Sequence, residues 1–449
     1  MRGRDPALAG IETLHRGYAG GSLDPVEVTL EHLQRIMATD GELRTFITVA
    51  RERALGDAER SRERWRRGAP LGPLDGVPIA LKDNIDVAGL PCTAGTAAYR
   101  HRVPDSDAVV QQRLAGAGAV VLGKLNMHEG ALGATTDNPV YGRCINPLRA
   151  GFTPGGSSGG SGAAVAAGLC VAALGTDTMG SVRVPAAYCG VFGYKPSTGA
   201  VPMDGIVPLS RSLDTVGPLA RSAADTAALA AALLWPGHRG AVEPEPAAGR
   251  RWGQLRVGVP RQLAGMPLAP AVLDAHQAFL ARLSAAGARL LEVDIAQWDP
   301  GRSRRAGLLV SEAEGAEYWH SMLGPALDGL SPQFAAMLRY PARAGAEKLA
   351  QARATLAAIR AAGERVFAEV DLLALPTTAQ RSFAHTDMPP VDQADCTALA
   401  NFTGGPSIAI PVAPTAAAEE LPASVQLMAA PGADRLLLGL ASAIDLLQR

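Results

Sequence analysis

The stretch VPIALK (Val77–Lys82), followed by DAVVQQRLAGAGA (Asp107–Ala119) and VVLGKLN (Val120–Asn126), decides the fold. A short run of apolar, partly β-branched residues reads as a strand. A longer segment with helical spacing that closes in glycines reads as a helix, and a second apolar run follows it. Strand, helix, strand predicts a βαβ unit, and strands apolar along their whole length are those covered on both faces. The rhythm returns in LRVGVP (Leu255–Pro260), in the helix AVLDAHQAFLARLSAAGA (Ala271–Ala288) and in RLLEVDI (Arg289–Ile295). DLLALP (Asp371–Pro376), PSIAIPV (Pro406–Val412) and ASVQLMA (Ala423–Ala429) read as further strands, and DRLLLGLASAIDLLQR (Asp434–Arg449) as one final amphipathic helix. The expected class is therefore α/β, a mixed and mostly parallel central sheet covered by helices on both faces.

Outside that rhythm the reading is simpler. Residues Ile11 to Arg67 have helical periodicity, and the charge run RERALGDAERSRERWRRG (Arg51–Gly68) reads as a solvated helix face. GHRGAVEPEPAAGRR (Gly237–Arg251) is the best linker or surface-loop candidate. No internal repeat and no clean boundary between independent domains is evident in the 449 residues.

Bulk composition excludes several function classes. Lys+Arg is 42 against Asp+Glu 43, so no basic face points to nucleic acid. Cys92, Cys144, Cys170, Cys189 and Cys396 are odd in number and widely spaced, with no C-x-x-C pair, which argues against a disulfide framework or a zinc site and for small buried hydrophobes. The N-terminal segment Met1–Gly21 has arginines but no apolar signal region, and the longest apolar run, Ala227–Trp235, is far shorter than the ~20 residues of a membrane span. The expectation is a reduced cytoplasmic protein with no membrane partner.

Chemistry concentrates in PGGSSGGSGAAVAAG (Pro154–Gly168). A phosphate-binding loop would close its glycines with Lys-Ser or Lys-Thr, and none is present. A flexible linker would not run directly into what reads as a packed helix and strand. Both GGSSG and GSSGG satisfy the G-x-S-x-G nucleophile elbow, but the preceding NPLRAGFTP, with Pro147, Gly151 and Pro154, does not read as a strand, and His320 and His385 lie in no recognisable constellation. A second serine, Ser181, follows Gly180 in GTDTMGSVRVP, where a sharp turn would present successive backbone N–H groups around a hydroxyl. Lys82 ends an apolar strand, and burial there would depress its pKa toward that of a usable base; taken alone it reads more readily as a structural ion-pair partner.

Together GVPIALKDNIDVAGLPCTAGT (Gly76–Thr96), GKLNMHEGALGATTDNPVYGRCINP (Gly123–Pro147), PGGSSGGSGAAVAAG, GTDTMGSVRVPAAYCGVFGYKPSTG (Gly175–Gly199) and SLDTVGPLARSAADTAAL (Ser212–Leu229) resemble the amidase signature family. The likeness is strong over residues 60 to 230 and weaker to the end. It implies one domain over 1–449: an N-terminal helical segment 1–65, the signature core 66–230, and 231–449 shaping the outer pocket. It implies acyl transfer on a small-molecule amide by a Ser-Ser-Lys triad, which by motif position is Lys82, Ser157 and Ser181, with Gly156–Ser157 a cis peptide. Backbone N–H groups of Thr178, Met179, Gly180 and Ser181 would hold the oxyanion, and Gly130, Ala131, Leu132 and Gly133 would wall the acyl side. The resemblance assigns no metal or organic cofactor and makes a homodimer the expected assembly. Arg183 is expected to act as a structural clamp. Met179 departs from the glycine common at that position. The main alternative is the glutamine-hydrolysing subunit of a tRNA-dependent amidotransferase, whose relatives usually read SIRQP where this chain reads SVRVP, with Val184 in place of glutamine. An allophanate hydrolase, a non-catalytic scaffold and an α/β-hydrolase esterase are further alternatives.

Overall fold

The structure, a computed structural model, describes residues 8–234, 252–412 and 421–447. The linker candidate Gly237–Arg251 lies outside the described residues. Strands β1 (Phe46–Val49), β2 (Pro78–Lys82), β3 (Val120–Leu125), β6 (Ala172–Asp177), β7 (Phe192–Lys195), β8 (Thr215–Ala220), β9 (Arg256–Pro260), β10 (Arg289–Val293), β11 (Leu372–Pro376), β12 (Ser407–Val412) and β13 (Ala423–Ala429) form one sheet, and β4 (Asp137–Asn138) pairs with β5 (Gly142–Arg143) apart from it. The order across this 11-stranded sheet is β1-β3-β2-β6-β8-β7-β12-β13-β11-β9-β10.

Pairing is parallel within β3-β2-β6 and within β11-β9-β10, the two places where the sequence carries a strand-helix-strand rhythm. From β6 through β8, β7, β12 and β13 to β11 every pair is antiparallel. The sheet is thus mixed, with its parallel character confined to the βαβ units.

Alternating side chains divide the sheet's two faces. Ile79, Leu81 and Val121 pack with the helices Val109–Gly116 and Ala223–Leu233 on one side. Ala80, Val120 and Leu122 face the helices Pro25–Leu43 and Arg51–Arg66 on the other. Farther along, Leu373, Leu375 and Met428 pack with the helix Ala346–Glu369. Single, continuous burial on both faces is the α/β/α layering that apolar strands require.

Two local expectations change. The N-terminal region contains β1 between its helices, a four-residue edge strand. The final helix is two, Asp434–Gly439 and Ala441–Leu447, broken after Gly439, the residue type that most weakens a helix short of proline. All five cysteines are buried and unpaired. Among the described residues no helix is long and apolar enough to cross a membrane.

Candidate active site

Strand β2 carries Lys82 into the interior, where it is fully buried. Its Nζ donates to Ser157 Oγ at 2.7 Å and to Thr176 Oγ1 at 2.8 Å. Burial lowers the ammonium pKa to about 7, against the charges of Asp214 and Asp177, which raise it. An amine poised there spends a large fraction of its time neutral at physiological pH, with a lone pair facing a hydroxyl.

The loop that brings Ser157 to Lys82 is shaped by close approach. The Gly156–Ser157 peptide is cis. Ser158 Oγ donates to the Thr176 carbonyl at 3.2 Å and accepts from the Thr176 N–H at 3.3 Å, stitching the loop to β6. The helix Gly159–Ala166 starts at once. At Gly160 a Cβ would stand 2.4 Å from the Asn126 carbonyl oxygen and 2.7 Å from that of Thr45, so only glycine lets this helix reach the backbone beside it.

Strand β6 ends in Asp177, and a turn through Thr178, Met179 and Gly180 delivers Ser181. Asp177 is the keystone of that turn. Its carboxylate accepts from the Gly180 N–H at 2.7 Å and the Val182 N–H at 3.1 Å. Arg183, itself fully buried, grips the same carboxylate through Nη2 at 2.9 Å and Nε at 3.1 Å. Burial alone would push this carboxyl up; the Arg183 charge and hydrogen bonds outweigh it and hold the pKa at about 2. Arg183 also donates to the Thr397 carbonyl at 2.7 Å, Asn401 Oδ1 at 2.7 Å and Gln426 Oε1 at 3.0 Å. It clamps the turn to the C-terminal part of the sheet.

Gly180 has φ +136°, a conformation that L side chains rarely adopt, and a Cβ there would meet Thr397 Oγ1 at 2.2 Å. That threonine hydroxyl donates to the Met179 carbonyl at 2.7 Å, fixing the Met179–Gly180 peptide. The Gly180 N–H is therefore turned to Asp177, and Thr178, Met179 and Ser181 remain as candidate oxyanion donors.

Ser181 borders a cavity of about 220 Å³ that is also lined by Thr178, Met179 and Gly180, and by Ala131, Leu132 and Gly133. Gly130 is not on that wall; its α-carbon is pressed on the Phe334 ring, which a Cβ would meet at 2.0 Å. The Ser181 carbonyl accepts from the Ser158 N–H at 3.2 Å. Among the described residues no hydrogen bond joins the Ser157 and Ser181 hydroxyls. The Met179 side chain packs beside Gly307, where a Cβ would meet its Sδ at 2.8 Å, and so closes one wall.

The elbow alternative lacks its scaffold, because the residues before Gly159 form turns and irregular backbone, not a strand. His385 holds its Nε2 at 2.9 Å from the Cys144 carbonyl oxygen. Sequence reasoning missed Thr176, Asp177, Thr397 and Asn401. Asp177 sits inside a quoted motif, but nothing local announces that it will cap the turn after it. Thr397 and Asn401 come from more than two hundred residues downstream, as the Arg183–Thr397 and Arg183–Asn401 separations of 214 and 218 show.

The amidase family matches residues 27–438. A glutamyl-tRNA(Gln) amidotransferase subunit from Chloroflexus aggregans is 35% identical over 470 aligned residues, covering 95% of this chain and 94% of its own. A solved crystal structure of an amidase superposes with a TM-score of 0.86 at 32% identity, over 96% of this chain and 98% of that one. A bacterial aryl acylamidase superposes with a TM-score of 0.89 at 21% identity, over 99% and 97% of the two chains, a likeness of fold alone. Matched in sequence and architecture over nearly its whole length, the chain belongs to the amidase signature family.

Proposed function

We propose that this chain is an amidohydrolase that cleaves a C–N bond through a seryl acyl-enzyme, with Ser181 as nucleophile, Ser157 as proton relay and Lys82 as base. The observation that carries the reading is the 2.7 Å contact between Lys82 Nζ and Ser157 Oγ, made by an amine whose pKa burial has brought to about 7. Neutral Lys82 accepts a proton from Ser157 as Ser157 takes one from Ser181, and Ser181 Oγ attacks the amide carbonyl. Backbone N–H groups of Thr178, Met179 and Ser181 stabilise the oxyanion. The relay returns a proton to the leaving ammonia or amine, and water then repeats the sequence on the ester.

Two readings of the acyl donor each have an observation behind them. The relatives' names support the glutamine-hydrolysing component of a tRNA-dependent amidotransferase, since one such amidotransferase chain is 35% identical across 95% of this one. The pocket supports a stand-alone amidase acting on a small carboxamide. Val184, at the position where the resemblance expects glutamine in such a subunit, is on the cavity wall, among Leu132, Leu209, Leu308 and Met337. Ammonia release by the chain alone, measured with glutamine and with a panel of aliphatic and aryl amides, separates them. Turnover of simple amides without any partner favours the stand-alone enzyme. Glutamine turnover that emerges only with added amidotransferase partner proteins favours the other.

A further inference from the structure

The cavity beside Ser181 offers polar side chains unevenly. Thr178 Oγ1 is engaged, donating to Asp214 Oδ1 at 2.5 Å. Gln393 is engaged at both ends: its amide nitrogen donates to the Pro390 carbonyl at 3.0 Å and its oxygen accepts from the Tyr188 hydroxyl at 3.3 Å. Arg304, from the helix Pro300–Leu323, differs. Its Nε donates to Asp395 Oδ1 at 2.6 Å, and its two terminal nitrogens have no hydrogen-bond partner among the described residues. Among those residues it is also the one charged side chain on the cavity wall, while Asp395 stands behind it.

We propose that Arg304 is the specificity-determining anchor of this pocket, and that the substrate is an amide with an apolar body and a carboxylate remote from the scissile bond. This deepens the seryl amidohydrolase reading and rests on it. A guanidinium has five N–H donors in a planar fork and can serve two carboxylates. Asp395 holds the Nε edge and fixes the plane, and the outer nitrogens are left for a ligand. With a side chain only 14% exposed, Arg304 makes that charge-assisted bond away from bulk water, where it is strong and geometrically selective. Among the described residues no carboxylate lines the cavity, so a substrate ammonium would be desolvated there without a partner. The pocket thus discriminates against cationic and zwitterionic amides as well as selecting anionic ones.

The test compares ω-carboxylated amides, the monoamides of straight-chain dicarboxylic acids from succinamic to suberamic acid, with unsubstituted alkanamides of matched length. For the best-fitting length the carboxylated amide is expected to have a kcat/KM at least about tenfold higher, expressed in KM. In Arg304→Leu that ratio falls to about one. In Arg304→Lys, which keeps a point charge without the fork, part of the ratio survives. Thermal melting of each variant verifies that it is folded. A native enzyme that turns over alkanamides at least as well at every length, or a ratio unmoved in a folded Arg304→Leu variant, overturns the anchor. Absence of ammonia release from any amide, or release that persists in Ser181→Ala, instead overturns the reading on which it rests.

Discussion

Lys82 can serve as a base only in the form that a lysine in water almost never takes near neutrality. Burial at the end of β2 lowers its pKa from 10.5 to about 7, so protonation in the folded enzyme occurs in the physiological range. In the proposed mechanism the neutral amine is the active form, so activity is full above that pKa and lost as pH falls through it. The logarithm of kcat/KM should rise with unit slope up to about pH 7 and then level. A profile flat from pH 5 to 8 would contradict the assignment. Lys82→Ala should lower kcat by about 100- to 10,000-fold, the usual worth of a positioned general base. The residue's burial was legible in the sequence as a lysine closing an apolar strand. Its partner Thr176 was not, because contact between β2 and β6 depends on strand order, which short apolar runs do not encode.

Among the elements, the helix Gly159–Ala166 determines where Ser157 stands. Its approach to the Asn126 and Thr45 backbone leaves no room for a Cβ at Gly160. Gly160→Ala should therefore push the helix outward, lower Tm and cut kcat, whereas Gly41→Ala, in open space on the helix Pro25–Leu43, should do neither. Equal behaviour of the two variants in thermal melts and turnover would refute the close-packing account. Strands β2, β3, β9, β10 and β11 were legible because each is a bounded apolar run. The helix Pro300–Leu323, which supplies Arg304 and Leu308 to the cavity, was not. Its buried positions include Ser303, Gly307, Ser311 and Gly315, small residues that let neighbours such as the Phe402 ring come close but leave no hydrophobic stripe to read. Likewise the split of the C-terminal helix turns on Gly439, a residue that an amphipathic pattern tolerates on paper.

For the molecule as a whole, Arg183 joins what the chain separates. It ties Asp177 at the tip of β6 to Thr397, Asn401 and Gln426, so the serine turn is held by both halves of the sheet. Removing one member of a fully buried ion pair strands the other, at a cost of about 3–5 kcal/mol. Arg183→Met should show a loss of that order in urea unfolding, together with loss of turnover; a variant with native stability would mean that Asp177 is not held as described. The overall layering was readable from two βαβ rhythms, but the antiparallel centre was not, since periodicity tells which residues are covered and says nothing of strand direction. The candidate site came from the resemblance carried by several motifs in order, not from any single one, and the structure brings Lys82 to Ser157 and sets Ser181 on the cavity wall.

The central claim is that Ser181 is the nucleophile activated through Ser157 and Lys82, and the most direct test is intact-protein mass after exposure to a fluorophosphonate probe. The account predicts a single adduct on the native chain, absent in Ser181→Ala and formed more slowly in Lys82→Ala. An adduct that persists without Ser181, or none on the native protein, would contradict it.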